Sequence, residues 1–291
     1  MSERLHVLTQ SALTILASCE ERFRLRYLER MAPLKERPAL AFGSAFHRGI
    51  ELRSPEAASV MLREGAATWT QDEADALEVR CATAEAMVHG ALVLWTDWPT
   101  LQEQRFQVPL VNPATRAEST AHELGGRLDG AWTDKPWLLE LKTTSRLDGD
   151  YLARLDIDFQ VSTYLAAAAR HYGQSFDRVV YRVARKPSIA QRKTESVAEF
   201  CDRLRTDYLA RPEFYFAEAI VRRTREQRDR WAAEAWEQHV RVLRLENGGM
   251  SVRNTSHCLD YGRCDYFDLC VGAVGPDAFR VLDTPNPELD D

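Results

Sequence analysis

No apolar run in this sequence approaches the ~18 residues needed to cross a bilayer, and the longest stretch of small apolar residues is Ala166 to Ala169. The start, Met1-Ser2-Glu3-Arg4-Leu5-His6, lacks the basic-then-apolar order of a secretory signal, so a cytoplasmic protein without membrane attachment is expected. Positive charge is also short. The formal net charge of −6 argues against a protein that coats nucleic acid non-specifically. No Gly-x-x-x-x-Gly-Lys-Ser/Thr loop is present, so a nucleotide-driven motor is not part of this chain. No internal repeat is visible. Cysteines are few, six in all, and uneven: Cys258, Cys264 and Cys270 crowd together, Cys19 stands near the start, and Cys81 and Cys201 fall in helical contexts.

What remains is an ordinary globular composition, 45% hydrophobic and 28% charged. The 291 residues exceed a typical domain, yet they fit one α/β core with helical additions. Helical spacing predicts a helix over 9–31 and a second from about Phe42, carrying His47 and Glu51 on one face. Residues 56–98 read as further helices, an insertion closing by residue 100. Alternating patterns then predict a meander of strands over 104–111, 119–128, 130–133 and 137–143. A helix over 151–172, a strand over 178–183 and helices over 195–210 and 224–246 follow, with a disordered tail from 283 to 291. The expected fold is a small mixed sheet flanked by helices, forming one domain over 1–282.

The chemistry-bearing residues sit in the strands. Trp137 to Thr144 reads as a strand, so Glu140 and Lys142 project to one side while Leu139 and Leu141 pack on the other. Asp129 ends the strand-like run Gly126-Arg127-Leu128-Asp129-Gly130. Two carboxylates and a lysine at one sheet edge can hold a divalent metal and orient a water for phosphodiester hydrolysis. Basic clusters that could meet phosphates are Arg22, Arg24, Arg26 and Arg30; Arg182, Arg185, Lys186, Arg192 and Lys193; and Arg222, Arg223 and Arg225. Each alone also reads as a solvated face.

Taken in order, Gly43-Ser44-Ala45-Phe46-His47-Arg48-Gly49-Ile50-Glu51, Gly126-Arg127-Leu128-Asp129-Gly130, Glu140-Leu141-Lys142-Thr143-Thr144 and Gln160-Val161-Ser162-Thr163-Tyr164 resemble successive motifs of the PD-(D/E)XK nuclease superfamily. The resemblance is closest to its RecB-like branch, with AddB-type recombination nucleases, CRISPR-adaptation nucleases and phage exonucleases, and it covers residues 11–271. It implies a restriction-endonuclease-like core in a bacterial or phage-encoded protein. It also implies that His47, Asp129, Glu140 and the backbone carbonyl of Leu141 hold Mg2+ or Mn2+, and that Lys142 positions the attacking water. Gln160 and Tyr164 would support the lysine and the DNA backbone. Leu128 stands where the superfamily's name has proline.

In a cytosolic protein, clustered cysteines bind metal more often than they form disulfides. Cys19 with Cys258, Cys264 and Cys270 makes four, the number that ligates an iron–sulfur cluster. The resemblance implies a 4Fe–4S clip joining the N- and C-terminal segments, although the wide spacing departs from the branch's usual tighter pair. Zinc held by the same four cysteines is the alternative. The expected function is a metal-dependent DNA nuclease, an exonuclease on single-stranded ends, in repair or recombination. The alternatives are a structure-specific endonuclease and a non-catalytic DNA-end-binding subunit with a helicase or recombination partner.

Overall fold

The computed structural model describes residues 6–34, 38–65, 76–260 and 262–289. Its centre is a six-stranded mixed sheet whose spine is one long strand, β4 (Glu118–Ala131). β3 (Leu101–Val111) runs antiparallel along one edge of β4, from Leu101↔Ala131 to Val111↔Glu118. The other edge is shared. β1 (Val7–Thr9) pairs parallel with Glu123–Gly125, and β5 (Trp137–Thr144) pairs antiparallel only at Gly130↔Leu139 and Ala131↔Leu138. Beyond these two pairs β4 and β5 fork apart. β5 then lies parallel to β6 (Arg178–Arg185), and β6 pairs antiparallel with β7 (Phe216–Val221). A separate ribbon joins β2 (Met31–Pro33) to β8 (Phe279–Val281).

Strand alternation splits the core between the two faces of the sheet. Leu139, Leu141, Val180 and Ala184 pack under α3 (Pro38–Glu51), α4 (Pro55–Gly65), α5 (Leu77–Leu94) and α8 (Val197–Ala210). Leu124, Leu128, Leu138, Val179 and Val183 face α1 (Gln10–Ser18), α7 (Phe159–His171) and α9 (Arg225–Glu246). α5 comes from the segment expected as an insertion, and it buries Cys81, Met87, Val88 and Ala91 in the first of these layers. Its approach to α3 is close, since a Cβ at Gly49 would stand 2.7 Å from Val88 Cγ2.

Two long helices expected from spacing are broken by tertiary contacts. The first stops at Cys19, whose backbone is extended (φ −164°), before α2 (Glu20–Phe23) and a π-turn over Arg24–Leu28. The buried Glu20 carboxylate accepts from Arg241 Nε at 3.1 Å, Arg244 Nη2 at 2.7 Å and the Val252 N–H at 3.0 Å, which pins this corner to the C-terminal segment. The second becomes α6 (Gly149–Ala153), a 3-10 turn over Arg154–Ile157, and α7, which Asp158 caps at 3.1 Å from the Val161 N–H. Residues 283–289 were expected as a disordered tail. Within it Asn286, 6% exposed, donates to the Val7 carbonyl of β1 at 3.0 Å. Residues 290 and 291 lie outside the described residues.

Candidate active site at the sheet fork

The fork between β4 and β5 leaves backbone groups without strand partners, and Asp129 fills the gap. Its Oδ2 accepts the Leu141 N–H at 2.6 Å, so the carboxylate takes the place of a ladder bond. This contact ties Asp129 to the strand carrying Glu140 and Lys142. Glu140 and Lys142 stand opposite Tyr181 and Val183 of β6, on the face toward α7, with Leu139 and Leu141 on the other. α7 supplies Gln160, whose Nε2 donates to Glu140 Oε1 at 2.8 Å, and Tyr164, buried edge-on against Phe106 at 5.9 Å between centroids. The Lys142 ammonium also pairs with Glu140 Oε1. From the opposite layer α3 brings His47, with Nδ1 3.4 Å from Asp129 Oδ1.

The structure therefore gathers His47, Asp129, Glu140, Lys142, Gln160 and Tyr164 at one place. It adds a carboxylate that the sequence reading placed outside β3. Glu103 lies across from Asp129 in the β3–β4 register, its Oε1 3.8 Å from His47 Nδ1 and its Oε2 2.9 Å from Arg127 Nε. His47, Glu103 and Asp129 offer ligand atoms that all lie within 4.8 Å of one another. The signal that could have found Glu103 is pairing register: in an antiparallel pair, directly opposed residues share a face.

Asp129 and Glu140 share the site with His47 and Lys142, and each shifts the others. Burial and the neighbouring Asp129 charge push the Glu140 carboxyl up to about 8, with Lys142 and His47 pulling against them. Burial would raise Asp129 too, but His47, Lys142 and the Leu141 N–H hold it below the usual carboxylate range. Burial opposes a charge on His47, yet Asp129 and Glu103 outweigh it and push the imidazole up to about 10. Burial opposes a charge on the half-buried Lys142 too, but Glu140 and Asp129 hold it well above its ordinary value. Burial, with Glu140 next, raises the Tyr164 phenol.

A divalent cation fits this donor set. Glu140 is 1% exposed, and both of its donors use Oε1, so the buried Oε2 accepts no hydrogen bond. Carboxylate oxygens suit Mg2+ and Mn2+, and one imidazole nitrogen suits Mn2+ in particular. Glu140 stands outside the compact group of His47, Glu103 and Asp129. The ligand set implied by resemblance thus meets at Asp129 rather than converging on one point.

The cysteines are brought into one region without forming a ligand set, which corrects the expectation of a clip. The Asn254 N–H points to Cys19 Sγ at 3.5 Å, and Cys264 and Cys270 pack beside Leu25, Met31 and Tyr266. Burial, followed by Glu21, Cys264 and Cys19, pushes the Cys270 thiol up. Among the described residues, no three cysteine sulfurs lie within 4.8 Å of one another. A mononuclear zinc site on four cysteines is therefore not formed, and an iron–sulfur cluster is not shown. The contacts of Glu20 join the two chain ends instead.

Two expected phosphate contacts have structural roles. Arg182, 4% exposed, lies over Trp95 and Trp98 and pairs with Glu218, while Arg223, also 4% exposed, is committed to backbone carbonyls. Lys186, at the end of β6 with its N–H on the Thr144 carbonyl, lies over Phe42 at 4.6 Å.

Among the described residues, no helix is long and apolar enough to cross a membrane. No curated protein matches the chain. Among solved structures, it is similar to a protein of Eubacterium rectale named, by inference, an exonuclease. The TM-score is 0.58 at 14% identity, covering 98% of this chain and 92% of that one, a likeness of fold. The sequence profile of the PD-(D/E)XK nuclease superfamily matches residues 7–271. With that match over most of its length, the chain belongs to the PD-(D/E)XK nuclease superfamily.

Proposed function

We propose that this chain is a Mg2+- or Mn2+-dependent deoxyribonuclease that degrades single-stranded DNA from its ends. The observation that carries the reading is the division of labour on Glu140. Gln160 and Lys142 both occupy Oε1, which leaves a buried, unpartnered Oε2. Asp129, Glu140, His47 and the Leu141 carbonyl are the residues to hold the cation. When bound, the cation supplies an activated water and neutralises charge on the phosphate. Lys142, fixed by Glu140, orients that water and stabilises charge growing on the phosphate oxygens. Gln160 keeps Glu140 in place, and Tyr164 walls the site. Preference for single-stranded ends rests on the RecB-like resemblance.

Single- and double-stranded DNA labelled at either end, digested beside Lys142→Ala, tests this. Loss of one label first, absent in the variant, supports an exonuclease and gives its polarity. Internal cuts point to the endonuclease reading, and DNA binding without cleavage points to the end-binding subunit.

A further inference from the structure

Glu103 is held at the site by more than chance proximity. The pairs Gln102↔Gly130 and Gln104↔Leu128 set it across from Asp129, and its backbone takes φ +49°, a left-handed conformation uncommon for a residue other than glycine. Its half-buried carboxylate has two neighbours. Oε1 faces His47 Nδ1 at 3.8 Å, and Oε2 forms an ion pair with Arg127, 2.9 Å from its Nε. Arg127 and Asp129, two apart on β4, share a face, so Arg127 reaches Glu103 along the same side of the strand pair. One imidazole nitrogen and two carboxylate oxygens thus approach one another on the Oδ1 side of Asp129. Glu140, whose buried Oε2 accepts no hydrogen bond, stands outside this group.

We infer that Glu103 is a ligand of the divalent cation on the His47 side of Asp129, and that Arg127 is its counter-ion in the cation-free protein, released when the cation arrives. The inference rests on the metal-dependent reading above and adds a residue that the motif pattern does not name. It separates two roles that a plain surface ion pair would not. A ligand lost weakens the site, while a competitor lost strengthens it.

Mn2+ titration of the full chain without DNA, followed by calorimetry and by the electron paramagnetic resonance of free Mn2+, reads this directly. Glu103→Gln should bind Mn2+ at least about tenfold more weakly, and Glu103→Asp, which keeps the carboxylate, should recover most of that loss. Arg127→Gln should bind more tightly than the unaltered chain. Unchanged Mn2+ affinity in Glu103→Gln, or weaker binding in Arg127→Gln, overturns the inference. Asp129→Asn separates the two readings. If it abolishes binding while Glu103→Gln does not, the metal site stands and only Glu103 falls; if neither matters, the metal-dependent reading has failed.

Discussion

Arg223 is the residue on which the position of α7, and so of Gln160, depends most. Its buried guanidinium donates to the carbonyls of Leu155 and Asp158 and to Ser162 Oγ, each at 2.8 Å. These three acceptors surround the break where the 3-10 turn hands over to α7. Burial draws the Arg223 pKa down, the mark of a cation kept in a poorly solvated place. Arg223→Met keeps most of the side-chain volume and removes every donor. An acceptor left unsatisfied costs roughly 1–3 kcal/mol, and relief from burying a charge offsets part of the sum, so a net loss of about 3 kcal/mol is expected. For a chain of this size that lowers Tm by roughly 6–12 °C. Thermal and urea unfolding followed by circular dichroism would measure it. Cleavage should fall as well, because Gln160 no longer orients Glu140. A Tm within about 1 °C of the unaltered chain would refute the reasoning, since it would mean that the three acceptors find other partners at no cost.

Other outcomes follow from the same geometry. Lys142→Ala should lower the cleavage rate by roughly 100-fold or more while DNA binding changes little, measured by single-turnover digestion beside filter binding. Gly130→Ala would place a Cβ 2.4 Å from Pro99 Cγ and 3.1 Å from the Leu101 carbonyl. A loss of about 2 kcal/mol and of Mn2+ affinity is expected, because the strain falls next to Asp129. His239 is buried against His122, Ser119, Trp236 and, through His122, Glu246. Burial and then His122 push its pKa down to about 4. The unfolded value is near 6.5, so the unfolded chain binds the extra proton. The stability from neutral His239 is therefore complete above about pH 6.5 and is lost, by roughly 2–3 kcal/mol, as pH falls toward 4. Urea midpoints should show that slope, and His239→Gln should flatten it.

How far the sequence could be read depended on the range of the interactions involved. Glu140 and Lys142 were legible because strand alternation is local: Leu139 and Leu141 announce the buried face, and the charges take the other. His47 and Gln160 followed from motif order. Glu103 was hidden because its place depends on which residue of β4 lies across from it, a pairing 26 positions away. The breaks at Cys19 and Asp158 were hidden for a similar reason. Helical periodicity runs through both, and only Glu20's clamp to Arg241 and Arg244, and Arg223's grip on Leu155 and Asp158, override it. β7 passed unnoticed because Phe216–Val221 is short and follows the turn Pro212–Tyr215 directly. The four cysteines show the reverse error. Their spacing suggested a ligand set, while the structure brings the segments together without converging the sulfurs.

The most direct test of the account is single-turnover cleavage of a single-stranded oligonucleotide by the chain and by Glu140→Gln, with Mn2+ added to metal-stripped protein. The account predicts that cleavage appears with Mn2+, disappears with EDTA and is lost in the variant, which should stay folded because Gln160 and Lys142 can still bond the amide oxygen. An unaltered chain that binds both Mn2+ and the oligonucleotide yet leaves every phosphodiester intact would contradict it.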